Sequence, residues 1–487
     1  MKNTRNVIAV LLMPLMISLG CGGRVMTPPA PTLAPTVFGP LKQDVLKSYL
    51  ELFSISPHLE YSADQISGMR NYLDSAKSYC VSEYKQKESQ YDQDLSQAQS
   101  ALKQKSAKLT DAQRHDMHCR IQNLRALKGQ TDVLANHAIP VAYQNEEAKL
   151  DLIENWPGQE KEIKQEIANG SYLNRHWGDV KDIDFRDIAS GQRDDIKAGE
   201  EAVKQMKEAG LMPKELDNKA ITDYVDKVAQ NVAKHSDLHV PLHVTVLNSK
   251  EINAFALPGG FLFVERGLLE AADDESELAG VMGHEIGHDI ARHGHKLMTK
   301  ATIASIFYQA AQVAALILTG GAASIGAYYA LQYGFYGLGL VLNLDLLGVS
   351  REFELQADQL GIQYAWNSGY DPSGFIRFFD KMATKEGYVN GVSWFYDHPP
   401  FYQRMVDAER EIMFLPRKEH LVTQTPDFGS MKKELTHVTS KAAEDEKNRP
   451  SLLNPEQGCP APQKAEFESG KAIETLCTPP SKPAGGK

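Results

Sequence analysis

The sequence predicts a mainly helical α+β protein, and three observations carry that expectation. Residues 58–139 contain no proline and repeat apolar side chains at heptad spacing, as paired helices do. Residues 195–236 read as further helix. Only two short segments look like strands, HVTVL at 243–247 and FLFV at 261–264, so the sheet is small. The 487 residues are 42% hydrophobic and 24% charged, an ordinary globular composition with room for two or three domains. With 52 basic and 63 acidic residues the net charge is −11, which argues against a nucleic-acid partner.

Taken in order, residues 1–20 read as a signal peptide. Lys2 and Arg5 precede an apolar run from Val7 to Leu19, too short for a confident membrane span. Gly20-Cys21 resembles a bacterial lipoprotein cleavage site that leaves Cys21 as the lipidated first residue. Ser18 stands where such sites usually carry leucine. Gly22 in place of an aspartate resembles the residue that permits transfer to the outer membrane. Residues 21–40 then form a tether, with five prolines between 27 and 40. If Cys21 carries lipid, Cys80, Cys119, Cys459 and Cys477 remain, an even number suited to an oxidising compartment. Of three possible pairings, the local one is Cys80–Cys119 with Cys459–Cys477.

Residues 41–160 read as a helical hairpin or coiled-coil arm. Leu95, Leu102 and Leu109 form one seam position and Tyr84, Tyr91 and Ala98 the other. Thr110 and Gln113 mark a fresh helix start, continued by Met117, Ile121, Leu124 and Leu127. Such an arm suits docking to an envelope protein, or is simply a solvated helix pair. A turn near residue 109 conflicts with a Cys80–Cys119 bridge, whose midpoint falls near residue 100.

A catalytic body is expected over residues 190–415. Its strand Phe261–Val264 is entered through Pro258-Gly259-Gly260, which suits a sheet edge. An edge beside a metal site can accept an extended peptide as an added strand, making Gly259, Gly260 and Phe261 substrate-facing candidates.

The metal candidate is the run GHEIGHDIARHGH at 283–295. On an α-helix His288 lies about 40° and about 6 Å from His284, so both rings can meet one ion. His293 falls about 180° away, and His295 lies roughly 16 Å along the axis, so neither shares that ion. This is an HExxH pattern: two imidazoles on zinc, with Glu285 as general base. Asp274 to Glu277 supplies the helix start, and Leu278, Val281 and Met282 its packing face. A catalytic zinc needs a third protein ligand.

Residues 301–344 carry no charged residue or histidine and form an apolar helical insert. It is either a hairpin packed on the core or resting on a membrane, or a pair of membrane-spanning helices. Residues 350–361, SREFELQADQLG, then read as a helix able to face the first. Glu354 is the best third ligand, and Asp358, one turn on, can accept a ligating histidine's other ring N–H. Glu352 is the rival ligand, about 200° from Glu354. Residues 416–487, with seven prolines beyond 446, read as an irregular tail pinned by a disulfide.

NAFALPGG, HEIGH, the S-R-x-x-E-x-x-A-D-x-x-G run, and His398-Pro399 with Arg404 occur in that order. Together they resemble the gluzincin zinc metallopeptidases that include HtpX, BepA and the CAAX prenyl protease, over roughly residues 195–410. The resemblance implies a zincin-like helical peptidase core, one zinc ion on His284, His288 and Glu354, Glu285 as base, and Asp358 as the aspartate behind a ligand. It also implies His398 and Arg404 near the cleft, as candidate catalytic residues, and Asn253 beside bound substrate. Tyr402 is an oxyanion candidate from chemistry alone. His398 is also a candidate zinc ligand in a resting, latent state.

The expected activity is a zinc-dependent metalloendopeptidase that cleaves unfolded or misassembled envelope proteins. It is expected in the bacterial periplasm, lipid-anchored at the outer membrane, with residues 302–342 as a further membrane contact. Two rivals are a latent peptidase acting as a chaperone-like binding protein and an integral membrane protease.

Overall fold

The computed structural model describes residues 35–105, 108–174, 190–208, 212–250, 252–298, 351–384, 402–447 and 459. Cys21, the apolar insert 301–344, His398 and Cys477 lie outside the described residues. The first group of helices is α1 (Pro35–Val45), α2 (Tyr49–Ile55), α3 (Ala63–Lys105), α4 (Asp111–Val133) and α5 (Ile139–Asn169). The second part holds α6 (Ile196–Glu208), α7 (Lys219–Lys234), strands β1 (His243–Leu247), β2 (Ala254–Leu257) and β3 (Phe261–Glu265), α8 (Arg266–Ala271), α9 (Glu275–Ile290) and α10 (His293–Met298). It continues with α11 (Arg351–Asn367), α12 (Ser373–Thr384), α13 (Tyr402–Phe414) and α14 (Pro426–Lys447). The fold is mainly helical with one small sheet, as the sequence implies.

The hairpin turns between α3 and α4. Thr110 and Gln113 cap the second leg reciprocally, each backbone N–H reaching the other's side chain at 3.1 and 3.3 Å. Leu95, Ala98 and Leu102 pack with Tyr91 against Ile121 and Leu124, so the heptad seam is a real contact. This geometry overturns the local disulfide pairing. With the turn near 108, Cys119 faces α3 near residue 96, about 24 Å along the helix from Cys80. Cys119 instead bonds Cys459, across 340 positions of sequence, so the Cys459–Cys477 pairing also falls. Cys80 is itself disulfide-bonded.

The hairpin's base is not a detached arm. Leu52, Phe53 and Trp156 belong to the same apolar core as Phe375 and Phe379 of α12. Trp156 donates its indole N–H to the Phe53 carbonyl at 3.0 Å. The fully buried Lys149 pairs with Asp380 of α12 at 3.1 Å, and Asp380 also accepts the Tyr49 N–H at 3.3 Å. A buried charge is tolerable only when so paired.

The sheet order is β1-β3-β2, with β1–β3 parallel and β3–β2 antiparallel. The expected edge is therefore misplaced: Phe261 starts the central strand, and the outer strands are β1 and β2. The tail also departs from expectation, because α14 is a regular helix burying Phe428, Met431 and Leu435. Its Lys432 caps α8, donating to the carbonyls of Leu269, Glu270 and Ala272 at 3.0, 2.8 and 2.8 Å. Among the described residues no helix is long and apolar enough to cross a membrane.

Candidate functional site

The site is built where α9 crosses α11. Asp274 caps α9 by accepting the Glu277 N–H at 2.9 Å, and Leu278, Val281 and Met282 are fully buried beneath it. Glycines allow the two helices to touch. A Cβ on Gly361 would lie 2.6 Å from the His284 nitrogen, and one on Gly283 would lie 2.8 Å from the Gly361 oxygen. That backbone contact brings a carboxylate from α11 to histidines of α9.

His284 Nε2 and His288 Nε2 face each other at 3.0 Å. Glu354 Oε2 lies 3.7 Å from the first and Oε1 lies 3.3 Å from the second. Tetrahedral zinc with bonds of about 2.0–2.1 Å separates its ligand atoms by about 3.4 Å, so this donor triangle fits the ion. Two bare ring nitrogens pointed at one another in a buried site repel unless a proton or cation lies between them. The three residues can therefore hold a metal ion, and they cluster as a potential ligand set. Glu285, 2% exposed, follows His284 on the same helix. Glu352, the rival ligand, is exposed.

Asp358 lies where its spacing from Glu354 places it. Its Oδ1 is 2.8 Å from His284 Nδ1, which favours the ring proton on Nδ1 and turns the Nε2 lone pair toward the other two donors. Burial works against the Asp358 charge, but the Arg404 guanidinium and the hydrogen bonds from Arg404 and His284 hold the carboxyl below its ordinary range.

Arg404 is a correction. It lies beside the site as expected, but fully buried under Glu354 and Asp358, where it serves those carboxylates and not a substrate. It donates to both Asp358 oxygens at 2.6 Å and approaches Glu354 Oε2 at 3.1 Å. A guanidinium clamped under two carboxylates orients them and cannot also reach a reacting carbonyl. Tyr402 donates to Gln159 of α5 at 2.9 Å, which engages its hydroxyl in the contact between α13 and the hairpin base.

Gly259, Gly260 and Phe261 are corrected too. Both glycines are buried with φ of +90° and +92°. A Cβ on Gly260 would come 2.2 Å from the Pro241 oxygen, so these residues are required by the turn. Asp289, near the end of α9, holds that turn by accepting the Gly259 N–H at 3.0 Å. Burial pushes the Asp289 carboxyl up to about 7, against the pull of the Gly259 and Gly260 N–H groups. Both β1 and β2 are outer strands: residues 214–216 pair along the end of β1, and β2, with no strand beyond it among the described residues, packs along α9. Asn253 immediately precedes it. Its amide is fully buried with neither side-chain atom hydrogen-bonded to protein.

One residue near the ligands was misjudged from the sequence. Helix α9 ends at Ile290, and Arg292 takes a left-handed φ of 54°. The chain folds back, and His293 Nδ1 comes 2.8 Å from His288 Nδ1. An uninterrupted helix would have put His293 on the far face. Gly294 signalled the ending but not the return. Burial drives the His293 ring far below its usual range, to about 2, with His288 adding to the effect, so the ring is neutral. A second cluster, His115 with Cys119 and Cys459, also lies within ligand distance, but its two sulfurs are bonded to each other.

Residues 197–412 match the profile of Peptidase family M48. The beta-barrel assembly-enhancing protease of Yersinia pestis is 27% identical over 43% of this chain and 42% of its own length. That of Escherichia coli K12 is 25% identical over 44% and 43%. The mitochondrial metalloendopeptidase OMA1 of Schizosaccharomyces pombe is 31% identical over 39% and 52%. The chain thus spans less than half the length of the first curated relatives it matches.

Proposed function

From the premise that residues 197–412 form a Peptidase family M48 domain, we propose that the chain is a zinc-dependent metalloendopeptidase of the bacterial cell envelope. The observation that carries the proposal is the donor triangle of His284, His288 and Glu354, backed by Asp358 and Arg404. When bound there, one zinc ion polarises a scissile carbonyl and makes water more acidic. Glu285 takes the proton from the attacking water and delivers it to the leaving amine. Asp358 fixes His284 in the tautomer that ligates, and Arg404 keeps Asp358 and Glu354 charged and aimed. An extended polypeptide lies along β2, held by backbone hydrogen bonds that read little sequence.

Unfolded or misassembled envelope proteins are the substrate class in this reading. Precursors of β-barrels are the group to which the name of the Yersinia and Escherichia relatives points. The Cys119–Cys459 bond supports an oxidising compartment. Lipidation at Cys21 would tether the enzyme to the outer membrane, and metabolic labelling with a palmitate analogue tests this against Cys21→Ala. The activity itself is tested on a chemically unfolded barrel protein. Wild type cleaves it, a chelator stops cleavage, and Glu285→Gln slows it by at least about 100-fold. Equal cleavage by both forms would remove the assignment.

A further inference from the structure

Asp358 orients His284, but His288 needs an equivalent partner if its Nε2 is to point a lone pair at a metal. We propose that His293 is that partner, a positioning residue that completes a hydrogen-bond relay from Gln356 through His293 to His288. The proposal rests on the zinc reading above and adds to it.

The proton order follows from the contacts. His293 Nε2 lies 3.0 Å from Gln356 Oε1, an acceptor, so His293 carries its hydrogen on Nε2. Its Nδ1 is then a bare acceptor, 2.8 Å from His288 Nδ1. His288 donates its Nδ1–H there, which leaves Nε2 deprotonated on the side facing His284 Nε2 and Glu354. One glutamine oxygen, two residues beyond Glu354 on α11, thus selects the ligating tautomer of a histidine on α9. His293 cannot be a ligand itself, because it touches the edge of the His288 ring opposite the donor triangle.

The fold holds this relay in place. His293 is 2% exposed, and its ring stacks on Phe353 at 4.2 Å with the planes 10° apart. The left-handed Arg292 that returns the chain is fixed by two bonds to Asp195, Nε to Oδ2 at 2.6 Å and Nη2 to Oδ1 at 2.7 Å. Non-glycine residues seldom adopt that backbone, so the anchor is what keeps His293 against His288.

The test uses the full chain with ¹⁵N-labelled histidine. Long-range ¹H–¹⁵N correlation in the metal-free protein reads the position of the His293 proton, and the relay requires Nε2. A proton on Nδ1 would overturn it. Zinc affinity is then measured by competition with a chromophoric chelator. His293→Phe keeps the stacked ring but removes both nitrogens, and affinity should fall about 10–100-fold. Gln356→Leu should also weaken binding, whereas Gln356→Glu, which keeps an acceptor, should restore it. If His293→Phe does not fold, the Gln356 pair decides. Undiminished affinity in His293→Phe, or in Gln356→Leu, contradicts the relay. Absence of zinc binding by the wild type would instead sink the metalloenzyme reading and leave the proton assignment standing.

Discussion

At the scale of residues, the site is a balance of buried charges. Glu354 and Asp358 are 1% and 2% exposed, and Arg404 is the cation that makes their ionisation tolerable. Removing it by Arg404→Leu leaves two carboxylates without their counter-ion. A loss of about 3–5 kcal/mol is expected for breaking such a buried pair, read as a shifted urea midpoint. Asp358→Asn keeps the shape but weakens His284 orientation, so zinc affinity should fall about 10–100-fold, and because it also removes a counter-ion of the buried Arg404 the urea midpoint should fall with it. A large stability loss with unchanged affinity would assign Asp358 to the core alone. Much at this scale was legible in the sequence. The separations of His284 from His288 and of Glu354 from Asp358 are one helical turn each, and turns are local. The role of Arg404 and the position of His293 were not legible, because they depend on which helix lies underneath and where one helix stops.

At the scale of elements, the α9–α11 crossing and the α5–α13 contact make separate predictions. Gly361→Ala inserts a methyl group 2.6 Å from the His284 backbone and must push the helices apart. Metal affinity should therefore be lost at a smaller structural cost than a cavity in the core produces. Circular dichroism together with zinc titration checks this, and unchanged affinity would mean that the crossing tolerates the methyl. On α13, burial raises the Glu409 carboxyl to about 7, with Asp371 and then Glu160 of α5 adding to it. Its folded pKa lies above the unfolded value near 4.3, so the native state holds the proton longer. Stability is then lost as pH rises from about 4.5 to about 7 and stays lost above. Glu409→Gln should raise the melting temperature at pH 8 and leave it nearly unchanged at pH 4.5. The opposite order would show that Glu409 gains from its charge. The hairpin was readable from its heptads and from Thr110. The sheet order was not, because FLFV has the same composition as an edge strand or as a central one, and only β2 pairing distinguishes them.

At the scale of the whole molecule, the helical hairpin, the peptidase body and the C-terminal segment are joined. Lys149–Asp380 and the shared apolar core tie the hairpin base to α12, which itself packs on α9. Cys119–Cys459 ties the chain's end to the hairpin. Composition and spacing favoured local disulfides, and only the position of the α3–α4 turn shows that Cys80 and Cys119 are far apart. Breaking the bond by Cys119→Ser should cost about 2–5 kcal/mol, because it releases a long loop in the unfolded chain. Unchanged thermal stability would mean that the bond constrains nothing. The account as a whole stands on one ion held between two helices. Zinc per chain, measured by elemental mass spectrometry on the purified protein, tests it most directly. One equivalent in wild type and almost none in Glu354→Ala is the predicted result. A wild type without zinc, or a variant that keeps its full equivalent, would contradict the account.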